Sequence, residues 1–275
     1  RDVERSRGLG DVYKRQVLTI AGSDCGGAGG IQSDIKTITA HRLYATSAIT
    51  AMTAQNTTGV YDIQESTTKF LGRQLDCIFE DIYPDAVKIG MVSNEELIEV
   101  IADKLKQYKA ANIVLDTSIV SSSGRRMVGN KSEMIITNEL FPLASLILPS
   151  ISEAESLSGI KIDSIEDMGA AAGIISQKYG VKGIFFREGH KITEKGDMLF
   201  DDGKIFWLPD SCEAEKRTLG KGCALSASAA CHLAMGDSLY ESVKEAKTYV
   251  NGAAMSCLEL GKGRNPLNQT FIFDN

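Results

Sequence analysis

The chain has 275 residues, 43% of them hydrophobic, which is enough to bury one sizeable α/β core. Its net charge of -6 and pI near 5.3 argue against nucleic acid or an anionic membrane as partners, because both call for clustered lysine and arginine. No apolar run approaches the roughly 20 residues that span a bilayer, and the N-terminus lacks the apolar core of a secretory signal. We therefore expect a cytoplasmic protein whose partners are small molecules.

Residues 1–16 are rich in charge and glycine and lack an apolar period, so burial cannot repay the entropy of ordering them. We predict a disordered or non-native leader there, followed by a single domain over 17–275. Beyond the leader, short β-branched runs alternate with amphipathic stretches. The predicted strands cover 17–21, 45–54, 86–89, 113–115, 146–148 and 183–186. The predicted helices cover 31–40, 68–79, 94–108, 132–140 and 166–179.

The predicted strands are largely apolar on both faces, a pattern typical of a parallel sheet that is covered on both sides. Their alternation with helices predicts right-handed βαβ units. The expected fold class is therefore α/β, with a doubly wound, mostly parallel central sheet between two layers of helices. Residues 197–208 predict a hairpin, because two apolar runs flank a polar turn at 201–204. Two further helices are expected over 222–235 and 238–258.

The six cysteines form no C-x-x-C pair, and the three histidines lie far apart in sequence. A structural zinc site draws on paired ligands at short spacing, so a metal site built from these cysteines is not expected. We expect reduced thiols, most of them small core residues, with Cys223 as the exception. The cysteines are Cys25, Cys77, Cys212, Cys223, Cys231 and Cys257.

A first glycine-rich segment, residues 22–30, joins the first predicted strand to a helix. Glycine at such a junction lets the backbone approach a ligand closely, at the N-terminus of the helix. A flexible loop and a dinucleotide fold are the alternatives. The spacing is not G-x-G-x-x-G, however, and the chain has no Walker A lysine pattern, so neither a Rossmann cofactor site nor a P-loop is supported.

A second glycine-rich segment, Gly220-Lys221-Gly222-Cys223, leads into a helix of small residues. Consecutive backbone N–H groups at a helix start form a cradle for anions, and the helix dipole adds a favourable potential. Catalysis of phosphoryl transfer is mostly positioning and electrostatic stabilisation. The pattern is therefore compatible with a phosphate site in which Cys223, on the first turn, could touch the attacking hydroxyl. The alternative is an ordinary helix start with a packed cysteine, because Gly-x-Gly before a helix is common.

The chain contains four separated motifs, at 17–37, 47–60, 87–91 and 220–226. In this order they resemble the motifs of the hydroxymethylpyrimidine / phosphomethylpyrimidine kinases, which belong to the ribokinase-like superfamily. The resemblance extends from about residue 17 to the region 261–264. It implies a ribokinase-like fold, and a homodimer that uses ATP and Mg²⁺ to phosphorylate the hydroxymethyl group of a pyrimidine and then the resulting monophosphate.

The resemblance also implies roles for individual residues. Asp34, Gln55 and Met91 would line the pyrimidine pocket, with Gly22 and Asp24 of the first segment assigned to the same site. Gln55 has suitable chemistry, because its amide offers a donor and acceptors; the alternative is a polar strand-end residue that bonds to backbone. Cys223 would be the base, with its pKa lowered by the helix start, and the backbone from Gly220 to Cys223 would form the anion hole.

Several residues on the phosphate side depart from the family pattern. Leu219, Lys221 and Ala224 replace a histidine and two threonines. Lys221 would either replace some of the lost attraction as a point charge or point to solvent. Ser150 replaces an asparagine, whereas Glu153 is kept and would bind Mg²⁺ through water. Arg187, beside Glu188, replaces a phosphate-binding lysine. We therefore assign Arg187, Lys221 and Ser150 to ATP and Glu153 to the metal. These departures leave two alternatives open, a pyridoxal kinase of the same superfamily and a catalytically impaired pyrimidine-binding homologue.

Overall fold

The computed structural model describes residues 14–92, 94–117, 129–209 and 218–274. The strands are β1 (Gln16–Asp24), β2 (Tyr44–Asn56), β3 (Gly59–Glu65), β4 (Ala86–Ile89), β5 (Ile113–Leu115), β6 (Leu146–Ile147), β7 (Gly183–Phe186), β8 (Asp197–Asp201), β9 (Lys204–Leu208), β10 (Thr218–Leu219) and β11 (Asn265–Pro266). The helices are α1 (Gly30–Ala40), α2 (Thr68–Asp81), α3 (Glu95–Tyr108), α4 (Asn130–Ile135), α5 (Ile151–Ser158), α6 (Ile165–Tyr179), α7 (Lys221–Met235) and α8 (Leu239–Met255). A π-helical turn, Ile136–Leu140, continues α4.

In the described part of the chain, nine strands form one sheet in the order β3-β2-β1-β4-β5-β6-β7-β8-β9. Neighbouring strands from β2 to β7 are parallel, whereas β3 and the β8–β9 hairpin are antiparallel additions at the two edges. The chain passes from β1 outward to β2 and β3 and then returns to β4 on the other side of β1. The predicted doubly wound, mostly parallel sheet is confirmed, and its strand order reverses at β1.

Side chains of the central strands are buried on both faces, because neighbouring residues of a strand point to opposite sides of the sheet. Leu18 and Ile20 of β1 pack into a core with α2, α3, α5 and α6. Val17 of the same strand packs into a second core with α1, α7 and α8. These two cores confirm the expected layers of helices on both faces of the sheet.

The strands predicted over 86–89, 113–115 and 183–186 coincide with β4, β5 and β7, and the predicted hairpin at 197–208 coincides with β8 and β9. The sequence prediction missed β3 and α5. All but one of the residues of β3 are exposed, so no buried stripe marks it. Helix α5 has eight residues, short of the about 10 to 12 by which periodicity separates a helix from a strand.

The predicted leader, residues 1–16, lies mostly outside the described residues. Its last residue is part of the sheet: Gln16 begins β1, and its backbone N–H donates to Oδ2 of Asp85 at 2.8 Å. Arg15 pairs with Oδ1 of the same carboxylate at 2.8 Å. β1 thus begins one residue before Val17, and polar contacts rather than apolar burial hold Arg15 and Gln16; the division into a leader and a single domain stays a prediction.

Among the cysteines that the structure describes, Cys25, Cys77, Cys223, Cys231 and Cys257 are free thiols; Cys212 lies outside the described residues. The expectation that most cysteines are core residues is wrong for this set, because one of the five is buried and two are exposed. Within the described ranges, no helix combines the length and the apolar character needed to cross a bilayer.

Candidate active site

The candidate site lies at the edge of the sheet where the carboxyl ends of the central parallel strands meet. β1 ends at Asp24, β4 is followed closely by Met91, and β5 is followed by Asp116. Ser150 and Arg187, which come after β6 and β7, form an isolated parallel bridge at this edge. Residues that are far apart in sequence are thus brought to one side of the molecule.

The first glycine-rich loop is held in shape by the side chain of Asp24. Its carboxylate accepts the backbone N–H groups of Gly26 and Gly29, each at 2.8 Å. Gly30, with a φ of 54°, begins α1, and a Cβ there would clash with the carbonyl of Gly22. Asp24 is buried. Asp24 therefore fixes the conformation of the loop through hydrogen bonds, and Gly22 does so by packing closely against Gly30.

The second glycine-rich loop packs on the first. Gly220 has a φ of 92°, which favours glycine, and a Cβ there would clash with the carbonyl of Ala28. A Cβ at Gly222 would lie 2.7 Å from Nη1 of Arg187 and 3.1 Å from Oδ2 of Asp116. Glycine at these two positions lets the start of α7 approach both the first loop and a pair of charged side chains.

We expect Gly220→Ala to destabilise the protein more than Gly236→Ala. Both glycines have left-handed φ values, 92° and 95°, which cost alanine about 1–2 kcal/mol. A Cβ at Gly236 meets nothing within 4 Å, whereas one at Gly220 must displace the Ala28 carbonyl, which adds an overpacking cost of about 1–3 kcal/mol. Urea unfolding of the two variants measures the difference. Equal losses would contradict close packing between the loops.

A fully buried ion pair joins α1 to β4. Nζ of Lys88 lies 2.7 Å from Oδ2 of Asp34, and Thr19 donates its hydroxyl to the same oxygen at 2.6 Å. Oδ1 of Asp34 has no hydrogen-bond partner. Burial raises the pKa of Asp34, and Lys88 opposes that rise. Burial alone would lower the pKa of Lys88, but the negative groups around it, Asp34 above all, raise it overall. The ammonium is therefore a fixed positive charge, and Cys223 lies within its field.

The thiol of Cys223 is half-buried on the first turn of α7. Burial raises the pKa of this thiol to about 11; Lys88 and a hydrogen bond from the Gly30 backbone oppose the rise, whereas nearby carboxylates add to it. The expectation that the helix start lowers this pKa is wrong, because the loss of hydration outweighs the favourable contacts. At neutral pH the side chain is a neutral thiol.

Arg187 lies between two carboxylates. Its Nη2 atom is 3.4 Å from Oδ1 of Asp116 and 3.4 Å from Oε2 of Glu153. Oε2 of Glu153 also accepts the Ser150 backbone N–H at 2.8 Å and the Thr117 hydroxyl at 2.9 Å. Oγ of Ser150 accepts the Glu153 N–H at 3.3 Å, which completes a capping box at the start of α5. Three residues predicted for ATP and metal therefore meet in one cluster.

Of the other predicted residues, Gln55 and Met91 are not joined to this cluster by any hydrogen bond or ion pair found among the described residues. Gln55 exchanges backbone hydrogen bonds with Sγ of Cys25 at 3.1 and 3.2 Å, and its side chain is half-buried. Met91 is half-buried as well, and Lys221 is exposed at the start of α7. Among the hydrogen bonds and ion pairs of the described residues, we find none that joins Gln55 or Met91 to Cys223.

Sequence reasoning missed two charged residues of the site, Lys88 and Asp116. Both gave a signal. Lys88 stands inside a four-residue strand that is otherwise apolar, and a lysine is almost never buried unless it is paired. Asp116 directly follows a buried parallel strand, at the sheet edge where ligands bind in this class of fold.

Proteins of known family match nearly the whole chain. The family model described as phosphomethylpyrimidine kinase matches residues 24–268. The hydroxymethylpyrimidine/phosphomethylpyrimidine kinase of Haemophilus influenzae is 38% identical over 260 residues, which are 92% of this chain and 96% of that protein. A thiamine biosynthesis bifunctional protein of Geobacter sulfurreducens is 38% identical over 253 residues, which are 92% of this chain and 51% of that protein. The chain therefore spans about half the length of this bifunctional relative.

Solved structures agree with the fold. The crystal structure of phosphomethylpyrimidine kinase from Clostridium difficile has a TM-score of 0.78 at 38% identity, over 86% of this chain and 98% of that chain. The pyridoxal kinase of Bacillus subtilis, solved as an ADP complex, has a TM-score of 0.86 at 29% identity, over 96% of this chain and 100% of that chain. This similarity confirms the ribokinase-like fold expected from the sequence.

Proposed function

The chain belongs to the phosphomethylpyrimidine kinase family and is a phosphotransferase, and on that premise we propose that it phosphorylates 4-amino-5-hydroxymethyl-2-methylpyrimidine and then its monophosphate with ATP, in thiamine biosynthesis. One observation carries the proposal. The start of α7 has a glycine directly above the guanidinium of Arg187, and the thiol of Cys223 follows it on the same turn. The backbone of a helix start, a guanidinium and a thiol are thus adjacent, which supports a phosphate site with a base beside it.

In this proposal the backbone from Gly220 to Cys223 forms the anion hole for the transferring phosphoryl group. Arg187, which lies next to Gly222, contributes charge-assisted hydrogen bonds to phosphate oxygens, and the exposed Lys221 adds a positive charge. Cys223 accepts the proton of the substrate hydroxyl. Because its pKa is raised to about 11, it does so as a thiolate that is rare at neutral pH and is favoured by Lys88.

The pyrimidine lies against Asp34, Gln55 and Met91. Oδ1 of Asp34 is buried and has no hydrogen-bond partner, and a buried acceptor in this state is costly unless a ligand donates to it. An aminopyrimidine edge offers N–H donors as well as a ring nitrogen acceptor, which the amide of Gln55 can complement. Asp24 and Gly22 contribute through the first loop, and Ser150 contributes by fixing the start of α5 beside the nucleotide.

Mg²⁺ belongs to the same proposal. It prefers hard oxygen ligands and is commonly held by one or two carboxylates together with substrate phosphates. Oδ1 of Asp116 is buried without a hydrogen-bond partner, which fits a metal ligand better than Oε2 of Glu153, an acceptor for three donors. Asp116 and Glu153 would hold the ion, and Glu153 would do so through water. When bound, the ion neutralises charge on the transferring phosphates.

A homodimer and a cytoplasmic location complete the proposal. The β2–β3 hairpin carries apolar side chains that are each more than half exposed: Met52, Val60, Tyr61 and Ile63. Exposed apolar side chains along an edge hairpin favour a protein interface. A second copy of the chain is the partner that we propose for it.

Two other functions compete with this proposal. A pyridoxal kinase is favoured by the TM-score of 0.86 to the Bacillus subtilis enzyme, and pyridoxal also offers a hydroxymethyl group on a nitrogen heterocycle. A pyrimidine-binding homologue without turnover is favoured by Leu219 and Ala224, which lack the hydroxyl and imidazole groups of the family pattern.

We expect ADP release that depends on both the hydroxymethylpyrimidine and Mg²⁺, with kcat/KM at least about tenfold higher for the pyrimidine than for pyridoxal, a difference of about 1.4 kcal/mol in transition-state binding. A coupled ADP assay with both substrates measures it. A preference for pyridoxal would establish the second function. Pyrimidine binding in calorimetry without ADP release would establish the third.

A further inference from the structure

The guanidinium of Arg187 occupies the space between the carboxylates proposed to hold the metal. Nη2 is 3.4 Å from both Oδ1 of Asp116 and Oε2 of Glu153, while Nη1 extends under Gly222. Nε of Arg187 and Oδ1 of Asp116 are both buried without a hydrogen-bond partner. The side chain is therefore held by charge at two carboxylates while part of its donor capacity remains unused.

The charges around Arg187 explain why it stays there. Lys88 lies 2.7 Å from Asp34, and its electrostatic interaction with Asp34 is larger than that with Asp116. Within the described residues, Arg187 is a cation that lies next to both Asp116 and Glu153, which are buried. A buried carboxylate without a counter-ion is strongly disfavoured, and a guanidinium cannot lose its proton. The negative charge of the two carboxylates is thus balanced by a side chain of the protein itself.

We propose that Arg187 is a resident cation, meaning a side chain that balances Asp116 and Glu153 in place of a metal and competes with divalent ions for them. This inference rests on the proposed function, because that proposal is what assigns Asp116 and Glu153 to the metal. A divalent ion bound by these carboxylates would lie close to the guanidinium, and the two positive charges repel each other strongly in a poorly hydrated site. The metal therefore binds well only after the guanidinium has moved.

Phosphate groups are the ligands that can move it. A guanidinium pairs with phosphate oxygens through two parallel hydrogen bonds, donated either by Nε and Nη2 or by Nη1 and Nη2. Both pairs include Nη2, the atom that lies 3.4 Å from each carboxylate. A nucleotide that draws the Arg187 guanidinium away from the carboxylates also makes Oδ1 of Asp116 available to a metal ion. Binding of phosphate and binding of metal are then positively coupled.

The test measures Mn²⁺ binding without nucleotide or pyrimidine, by the loss of the electron paramagnetic resonance signal of free Mn²⁺. Arg187→Gln keeps polar contacts but removes the positive charge that competes with the metal. We expect this variant to bind Mn²⁺ at least about tenfold more tightly than the unchanged protein, a difference of about 1.4 kcal/mol in binding free energy. Arg187→Met should give the same result if it folds. The matched control is Lys191→Met, which removes an exposed cation paired with Glu188 at 2.9 Å and should leave Mn²⁺ affinity unchanged.

A second variant locates the site. In the Arg187→Gln background, Asp116→Asn should abolish the gain, because it removes the carboxylate that the metal takes over. Circular dichroism confirms that each variant is folded. Unchanged or weaker Mn²⁺ binding by folded Arg187→Gln overturns the proposal, as does a gain that survives Asp116→Asn. Since no substrate is present, failure here is separate from failure of the kinase activity, which the ADP assay reports.

Discussion

Replacing Cys223 with alanine should lower kcat/KM for the hydroxymethylpyrimidine by about 10²- to 10⁴-fold, the range by which a positioned base accelerates proton transfer. The thiol is half-buried on the first turn of α7, beside the glycines of the proposed anion hole. The backbone of that hole is unchanged by the substitution. Residual turnover should therefore persist, and steady-state kinetics at saturating ATP and Mg²⁺ measures the loss.

The pH dependence provides a sharper test of the same role. A base must be deprotonated to act, and burial raises the pKa of the Cys223 thiol to about 11. About one molecule in ten thousand then carries the thiolate at pH 7, and this fraction rises about tenfold with each pH unit. We expect kcat/KM of the unchanged enzyme to increase from pH 7 towards pH 10. Cys223→Ala should lack this increase.

Two further variants at this position separate ionisation from packing. Cys223→Ser keeps the approximate size of the side chain but does not ionise in this range, so it should behave like the alanine variant. Cys223→Asp offers a carboxylate with a far lower ordinary pKa. The rise of kcat/KM with pH, its rising limb, should therefore lie at lower pH in this variant. A kcat/KM within about threefold of the unchanged enzyme for Cys223→Ala, or the same pH slope, would rule out the thiol as base.

Much of the fold could be predicted from sequence because the central strands leave a local signal. β4, β5 and β7 are short runs that are apolar on both faces, and their predicted bounds match the structure. β3 left no such signal, because it lies at the edge of the sheet with nearly all its side chains exposed. Its position depends on pairing with β2, which is a tertiary property.

The candidate site divides in the same way. Gly220, Gly222 and Cys223 could be selected from sequence, because a glycine-framed helix start is a local pattern. The pairing of Lys88 with Asp34 could not, because the residues are 54 positions apart and meet only when α1 packs beside β4. The direction of the Cys223 pKa failed for a related reason. A helix start is visible in sequence, whereas burial, the larger effect, is produced by the packing of distant segments.

Lys88→Met should destabilise the protein by about 3–5 kcal/mol, the cost of removing one partner from a buried ion pair. Lys88 and Asp34 are both fully buried, and Oδ1 of Asp34 already lacks a hydrogen-bond partner. Such a loss is a large share of the about 5–15 kcal/mol that stabilises a typical protein. Urea unfolding measures it. The control is Lys104→Met, which breaks a partly exposed pair with Asp76 at 2.6 Å and should cost less than about 1 kcal/mol.

The same variant should change how stability depends on pH. Burial raises the pKa of Asp34 in the folded protein, and Lys88 opposes the rise, so its removal should raise that pKa further. The folded state then keeps a proton that the unfolded state releases near its ordinary pKa of about 3.9. Stability is therefore fully present below that value and decreases as pH rises through the folded pKa. We expect Lys88→Met to lose stability between pH 5 and pH 8 more steeply than the unchanged protein.

Removing the second charge should restore part of the loss. In Lys88→Met/Asp34→Asn, the buried carboxylate is replaced by a neutral amide that can still accept a hydrogen bond from the Thr19 hydroxyl. The double variant should therefore be at least about 1.5 kcal/mol more stable than Lys88→Met, and its stability should depend less on pH.

The Cys223 thiol is coupled to the charge of Lys88, because Lys88 opposes the rise in the pKa of Cys223. The rising limb of kcat/KM should consequently move to higher pH in Lys88→Met. A double variant no more stable than Lys88→Met, together with an unmoved limb, would mean that the ion pair is independent of both the fold and the thiol.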